Sequence, residues 1–470
     1  MKSYDDFDAE LTQAAQAHGF VKLLRPGSLS VDGKPSEETL AREWVGNNWN
    51  DWRRDWGILR WFHWDGCRWK IDGTGAALQS IREHIAEAAK GSPATKGKPQ
   101  PGLAKASIAK GTETFCQIDP RIAVEHDVWD PDPFLLGTPA GVIDLRTGRN
   151  TGADRSAMIT RSTAVCPVEG EPTRWLQFIR EVTDGDDDLA HFLKLAIGYC
   201  LTGSTREHKL FFGYGGGKNG KSVLLNTVSR IMGEYATTAA MDTFTASKGD
   251  KHPTDLARLD GARLVATSET EEGRAWAEAR IKQLTGGDRI AARFMRQDFF
   301  EFTPRFKLFI VGNFRPRLHN VDEATRRRFN IIPFLHVPAN PDMELEDKLT
   351  AEHPQILSWM IEGAREWYEN GLTRPDAIIN ATDRYFEDQD LIGQWIAERC
   401  EVRDGAMGKT GELYQSWCDF AVENGEEKGT QKAFAEAVSK RGFERDRVWQ
   451  FGRIYRGIDL LKNKQRGGVQ

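Results

Sequence analysis

One eight-residue run, Gly215-Gly216-Gly217-Lys218-Asn219-Gly220-Lys221-Ser222, constrains this chain more than any other stretch. It fits G-x-x-x-x-G-K-[ST] at every position. The preceding KLFFGYG is apolar enough for a buried strand, and SVLLNTVSRIMG has helical spacing and ends at Gly233. Strand, glycine loop and helix are the context in which this pattern binds phosphate. Glycines allow positive φ, so successive N–H groups converge on phosphate oxygens, and the helix N-terminus adds partial positive charge. In that geometry Lys221 reaches the β- and γ-phosphates of a nucleotide, and the Ser222 hydroxyl binds Mg²⁺. The alternative, a glycine-rich turn, does not account for both flanks. A nucleoside triphosphate and Mg²⁺ are therefore the expected ligands, and the loop alone does not choose between a kinase, a GTPase, a helicase and a transporter.

The next 110 residues hold further strand-like runs with chemistry at their ends. ARLVATSE (262–269) ends in Glu269, placed to polarise a water or hold the metal, and Glu271 and Glu272 could share that role. An exposed strand end explains Glu269 equally well when it is taken alone. FKLFIVG (306–312) ends at Asn313, a polar amide able to orient water and sense a γ-phosphate. Arg326-Arg327-Arg328 then precede the apolar run FNIIPF; they are either a solvated basic cluster or the source of an arginine finger. IKQLTGGDRIAARFMRQDFFEF holds a G-G-D turn followed by alternating residues, which reads as a β-hairpin carrying Arg289, Arg293 and Arg296.

Composition limits the rest. The 470 residues are 39% apolar and 28% charged, which excludes disordered, collagen-like and disulfide-scaffold chains and suggests about three domains. A net charge of −5 argues against a globally basic nucleic-acid coat. No run is long and apolar enough for a membrane span, and MKSYDDFDAELTQ is not a signal peptide. The six scattered cysteines contain no C-x-x-C and suit a reducing cytoplasm.

Seven of the fifteen tryptophans fall between Trp44 and Trp69, interleaved with Arg53, Arg54, Arg60 and Arg68. They form either a stacking platform for single-stranded nucleic acid or a small aromatic core rimmed by arginine. FHWDGCRWKIDG reads as a hairpin about its D-G turn, and residues 90–110, with five lysines and no acid, as a flexible linker. Val142–Leu145 reads as a strand, and 172–202 and 354–370 as helices. GELYQSWCDFAVEN and TQKAFAEAVSKRGF read as helices and VWQFGRIYRGIDL as a ribbon. From Lys428 to Gln470 there are eleven Lys and Arg against four Asp and Glu, so this module is either a charged surface or a winged helix with a basic recognition face.

The order GxxxxGKS, LVATSE, IKQLTGGDRIAARFMRQDFFEF, FKLFIVGN and RRRFNIIPF resembles the superfamily 3 helicases of the AAA+ class. The nearest likeness is to the C-terminal half of phage and plasmid primase–helicases and of the poxvirus helicase-primase. WDPDPFLLGTPAGVIDLRTGR is similar to that family's approach to its helical collar. The resemblance covers roughly residues 120–465. It implies an α/β protein with a P-loop AAA+ core, a helical collar, a Trp-rich N-terminal module and a C-terminal winged-helix-like module. The corresponding boundaries are 1–134 for the N-terminal module and linker, 135–205 for the collar, 206–340 for the ATPase core, 341–389 for a helical extension and 390–470 for the winged-helix-like module.

The resemblance implies Walker-A residues at Gly215–Ser222, a Walker-B acid at Glu269, a sensor at Asn313, a DNA hairpin at Arg289–Arg296 and a finger at Arg327 or Arg328. Ser268 stands where many relatives carry a second acid, so metal binding and water activation fall to Glu269 or are shared with its neighbours. Asp130-Pro131-Asp132 is a D-x-D of the kind that marks a primase domain, but its prolines exclude a central strand. The implied activity is an ATP-dependent replicative DNA helicase of a phage or mobile element in a bacterial host cytoplasm. It would form a hexameric ring on single-stranded DNA and replication forks, with a primase or polymerase as possible partner. The rival is an AAA+ origin-binding initiator that uses ATP only to assemble; a small-molecule P-loop kinase is disfavoured because no acceptor-site signature is present.

Overall fold

The computed structural model describes residues 35–90, 99–246, 254–269, 275–295, 299–318, 322–425, 428–450 and 452–461. The chain separates into two compact units, Met1–Pro131 and Asp132–Gln470.

The first unit packs the helices Glu37–Asn48, Ala76–Ala89 and Ala106–Gln117 with a small sheet. Its strands lie in the order Trp69–Ile71, Arg60–Trp64, Trp52–Asp55, Ala123–Val124. The D-G hairpin is present: Asp65 Oδ1 accepts the N–H groups of Cys67 (2.9 Å) and Arg68 (3.0 Å), and Gly66 has φ 107°. The tryptophans form a core. Trp44, Trp61 and Trp69 are buried, Trp49, Trp52 and Trp64 are half-buried, and Trp56 alone of the seven is exposed. The Trp44 ring lies 6.1 Å from Trp52 and 6.0 Å from Trp61, and the Arg53 guanidinium covers Trp69 at 4.6 Å. Rings already packed on one another offer few faces to bases. The linker expectation for 90–110 is corrected in its second half, where a helix starts at Ala106 and buries Ala109 and Cys116. Residues 91–98 lie outside the described residues.

The second unit is built on a five-stranded parallel sheet, in the order Phe329–Pro333, Leu210–Tyr214, Lys307–Gly312, Leu264–Glu269, Ala236–Thr238. Helices on both faces require strands that are apolar on both sides, which is why these segments read as continuous apolar runs. On one face the helices Thr173–Val182, Asp187–Leu201, Lys221–Met232 and His353–Asn370 share one core. The other face holds Phe212, Phe244, Trp276, Ile281, Tyr385 and Phe386. The helices Asp187–Leu201 and His353–Asn370 approach closely because a Cβ on Gly198 would collide with Ala364 N, and one on Gly363 with Lys194 O. The stretch 135–205 opens with a three-stranded antiparallel sheet, Leu135–Thr138, Gly141–Asp144 and Arg149–Gly152, whose middle strand is the one read from the sequence at Val142–Leu145. Its two helices belong to the core of the large sheet rather than to a layer of their own.

After Asp390 the elements run helix Leu391–Arg399, strand Cys400–Lys409, helices Thr410–Glu423 and Gln431–Lys440, and strands Arg445–Val448 and Gly452–Leu460. The last strand lies between the other two, antiparallel to both. Trp395, Leu413, Phe434, Val438, Tyr455 and Ile458 form its core. No helix among the described residues is long and apolar enough to cross a membrane.

Candidate functional site

The strand Leu210–Tyr214 runs into the glycine loop, and the helix Lys221–Met232 starts directly after Gly220. Lys218 (φ 63°) and Gly220 (φ 82°) adopt the left-handed conformation, which bends the loop back over the helix N-terminus. A Cβ on Gly215 would collide with Phe334 O, and one on Gly220 would lie 2.5 Å from Val182 Cγ1. At Gly216 and Gly217 a Cβ would meet nothing within 4 Å, so that side of the loop is open. Asn219 is buried and spans the base of the loop: its Nδ2 donates to Phe334 O (2.5 Å), and its Oδ1 accepts from Lys221 Nζ (2.7 Å). Lys221 Nζ also donates to Gly215 O (2.8 Å) and Gly216 O (2.7 Å), so three oxygens share its ammonium. Burial pulls the Lys221 pKa below the usual lysine value. Gly216, Gly217, Lys218 and Ser222 are exposed beside the unsatisfied N–H groups of the first helical turn. A cradle closed beneath by Phe334 and Val182, open above, and lined with N–H donors, an ammonium and a hydroxyl fits a polyphosphate with its metal.

Strand register brings the other candidates to this end of the sheet. Tyr214 pairs with Gly312, and Gly312 with Glu269, so the start of the loop, the residue before Asn313 and the acid share one rung. Two strand spacings, about 10 Å, separate Tyr214 from Glu269. Asn313 is exposed on the intervening strand tip. Glu271 and Glu272 lie outside the described residues. Sequence reasoning missed Arg315. Its guanidinium covers the Tyr214 ring at 4.7 Å and pairs with Asp388 at 3.0 Å, next to the loop. The only signal was its place two residues after Asn313.

The arginine triplet lies at the opposite end. Leu210 N donates to Arg328 O (2.7 Å), and Phe329 pairs with Leu210. The five residues of the strand Leu210–Tyr214 separate the triplet from the loop by roughly 17 Å at about 3.3 Å per residue. The three side chains also differ. Arg326 pairs with Asp383 at 2.8 Å. Arg328 donates to Ala324 O (2.6 Å) and Thr285 Oγ1 (3.2 Å), and its pKa is lowered by burial and by Arg327. Arg327 is exposed, and its guanidinium makes no ion pair or hydrogen bond among the described residues. Lys209 donates to Arg327 O (2.7 Å); burial and the neighbouring Arg374, Arg327 and Arg328 lower its pKa, marking a strongly basic edge.

The expected hairpin is present, pairing Ile290–Ala292 with Phe300–Phe302. Ile290, Ala292 and Phe302 anchor it in the core. Arg289 is exposed, 3.9 Å from Glu301, and Arg293 covers the Phe299 ring at 4.8 Å. Arg296 lies outside the described residues. The exposed Phe294, Met295 and Phe299 beyond the paired strands were not anticipated from the charge pattern.

Comparison with known proteins bears on this arrangement. Residues 38–184 match a family described as D5 N terminal like, and residues 213–328 match a family of unknown function. The second match spans the glycine loop, Glu269, Asn313 and the arginine triplet. A protein of Acanthamoeba polyphaga mimivirus, provisionally named a helicase, is 23% identical over 325 residues, 63% of this chain and 34% of that protein. A provisionally named helicase of Frog virus 3 is 25% identical over 54% of this chain and 28% of its own length. A provisionally named primase of African swine fever virus is 22% identical over 57% of this chain and 31% of its own. The chain thus spans about a third of the length of these relatives. Among solved structures, the apo structure of the NrS-1 C terminal region (305-718) is similar in fold, with a TM-score of 0.50 at 12% identity. The likeness covers 90% of this chain and 99% of that one. These matches make residues 38–184 similar to the D5 N terminal like family, and the chain similar to proteins of large DNA viruses provisionally named helicases or primases.

Proposed function

We propose that the chain is an ATP-dependent replicative DNA helicase of a phage or mobile genetic element, assembled as a hexameric ring on single-stranded DNA. The observation that carries this reading is the division of the site across the sheet. The glycine loop, Glu269 and Asn313 stand at one end, and the unpaired Arg327 at the other. One subunit cannot bring Arg327 to its own loop. A head-to-tail ring brings each Arg327 toward the next subunit's loop, so that hydrolysis depends on assembly.

In this reading the large sheet is a P-loop AAA+ core. The C-terminal module, with its helix–strand–helix–helix–strand–strand order, is a winged helix, and Ile290–Phe302 is a hairpin facing DNA. The loop N–H groups and Lys221 hold the ATP phosphates; Lys221 exchanges its loop carbonyls for phosphate oxygens. Ser222 and Glu269 would hold Mg²⁺, which neutralises charge on the β- and γ-phosphates. Glu269 accepts the proton of the attacking water, and Asn313 orients that water. The phosphorus–oxygen bond to ADP then breaks as the new one forms. Arg327 of the neighbour offsets charge on the transferring group. Arg315, clamped between Tyr214 and Asp388, is positioned to report the state of the loop to the helix Asp376–Gln389. The relatives' names support a helicase- or primase-like role in DNA replication.

The test is DNA-stimulated ATP hydrolysis together with strand displacement, for the wild-type chain and Glu269→Gln. Both activities are expected in the wild type, and neither in the variant. Stimulated hydrolysis without displacement would replace the helicase reading with the assembly-switch reading.

A further inference from the structure

The strands Arg445–Val448 and Gly452–Leu460 form a hairpin at the end of the C-terminal module. Its register sets Arg447 directly opposite Arg453, and like charges so placed cost stability. Both are exposed, and neither guanidinium has an acidic partner among the described residues. The neighbouring acid, Asp446, is already taken by Arg456 at 2.5 Å. Immediately beyond this pair stands Trp449, fully exposed at 101%; Trp56, at 44%, is the next most exposed tryptophan among the described residues. An indole in water beside two uncompensated cations does nothing for the fold. The module's core is made by Trp395, Phe434, Tyr455 and others, and does not include Trp449.

A polyanion that carries unstacked aromatic faces relieves both defects at once. Its phosphates neutralise the arginines, and a base covers the indole. Among the described residues the hairpin turn exposes one ring, whereas a track along single-stranded DNA needs a row of them. The terminal base pair of a duplex, where the strands part, presents one such face. We propose that Trp449 stacks on the terminal base at a single-strand–duplex junction, with Arg447 and Arg453 on the flanking phosphates. This makes the hairpin the element that meets the parting strands, and the proposal rests on the helicase reading above.

The experiment uses the full chain, a forked DNA and a single strand of equal length, with affinities read by fluorescence anisotropy. A 2-aminopurine is placed at the junction. Trp449→Ala is expected to lower the ratio of fork to single-strand affinity by about 5- to 150-fold, the range for loss of one base–aromatic stack. Trp449→Phe is expected to restore most of it. The wild-type chain should quench the 2-aminopurine, and Trp449→Ala should not. Arg447→Ala with Arg453→Ala should flatten the salt slope by about 1.8, for two phosphates. An unchanged fork preference in Trp449→Ala, while the wild-type chain shows DNA-stimulated ATP hydrolysis, overturns the proposal; a hairpin that faces a protein partner gives that result. If the wild-type chain neither binds DNA nor responds to it, the helicase reading has failed and this proposal falls with it.

Discussion

Replacing Arg327 by alanine tests the division of the site directly. The guanidinium is exposed and makes no described bond, so its loss should leave the fold of each subunit intact. Its own glycine loop is roughly 17 Å away along a five-residue strand, which excludes direct action within the subunit. A finger supplied across an interface is worth ~10³-fold or more in turnover, so Arg327→Ala should lose about that factor. Lys221→Ala should be comparably inactive through loss of phosphate binding. Mixed in equal amounts, the two variants place an intact loop against an intact finger at about a quarter of randomly formed head-to-tail interfaces. ATP turnover should therefore recover to about a quarter of wild type if interfaces act independently. Arg328→Ala is the internal comparison. It removes the bonds to Ala324 O and Thr285 Oγ1, so it should destabilise the subunit by about 1–2 kcal/mol and slow turnover less than Arg327→Ala. The reasoning is refuted if mixed assemblies form and stay inactive, or if dilute monomer hydrolyses ATP at the full rate.

Further expectations follow from the site and the first unit. Glu269→Gln should keep affinity for a non-hydrolysable ATP analogue and lose hydrolysis; retained turnover would move the role to Glu271 or Glu272. Gly215→Ala and Gly220→Ala should abolish analogue binding because the added methyl meets Phe334 O or Val182, whereas Gly216→Ala should be tolerated sterically. Equal losses at all three positions would contradict the cradle described above. Asp55 is buried and accepts from Gly57 N (2.8 Å), Ile58 N (3.1 Å), His126 Nδ1 (2.7 Å) and Trp129 Nε1 (2.8 Å). Asp55→Ala strands these donors and should cost about 2–4 kcal/mol, read as loss of thermal stability by tryptophan fluorescence. Burial by itself raises the Asp55 pKa, but the bonds from His126, Ile58 and Trp129 outweigh it and hold the carboxylate below its usual value. A depressed folded pKa stabilises fully above the unfolded value of about 3.9 and is lost as pH falls through the folded one. Wild type should therefore lose stability in acid more steeply than Asp55→Asn, and parallel pH profiles would contradict this.

The local chemistry of this protein was legible in its residues. The glycine loop, the apolar strands, the strand-end Glu269 and Asn313, and the two C-terminal helices are short-range patterns, set by spacing that a helix or strand repeats within one or two turns. Such patterns say which groups can act, but not which of them meet. Nothing in 262–313 states that Lys307–Gly312 lies between Leu210–Tyr214 and Leu264–Glu269; strand order alone puts Asn313 between loop and acid. Likewise RRR reads as three equal arginines. Tertiary structure distinguishes them, because Asp383 and Ala324 O, with Thr285, occupy two and leave Arg327 to solvent. The tryptophan-rich stretch was ambiguous for the same reason. An aromatic run supplies both packing and stacking, and only burial, which depends on residues as distant as Glu113 at Trp61 Nε1, decides between them. In the same way Trp449 looked like one more aromatic in a ribbon, until the fold left it with no neighbour to bury it.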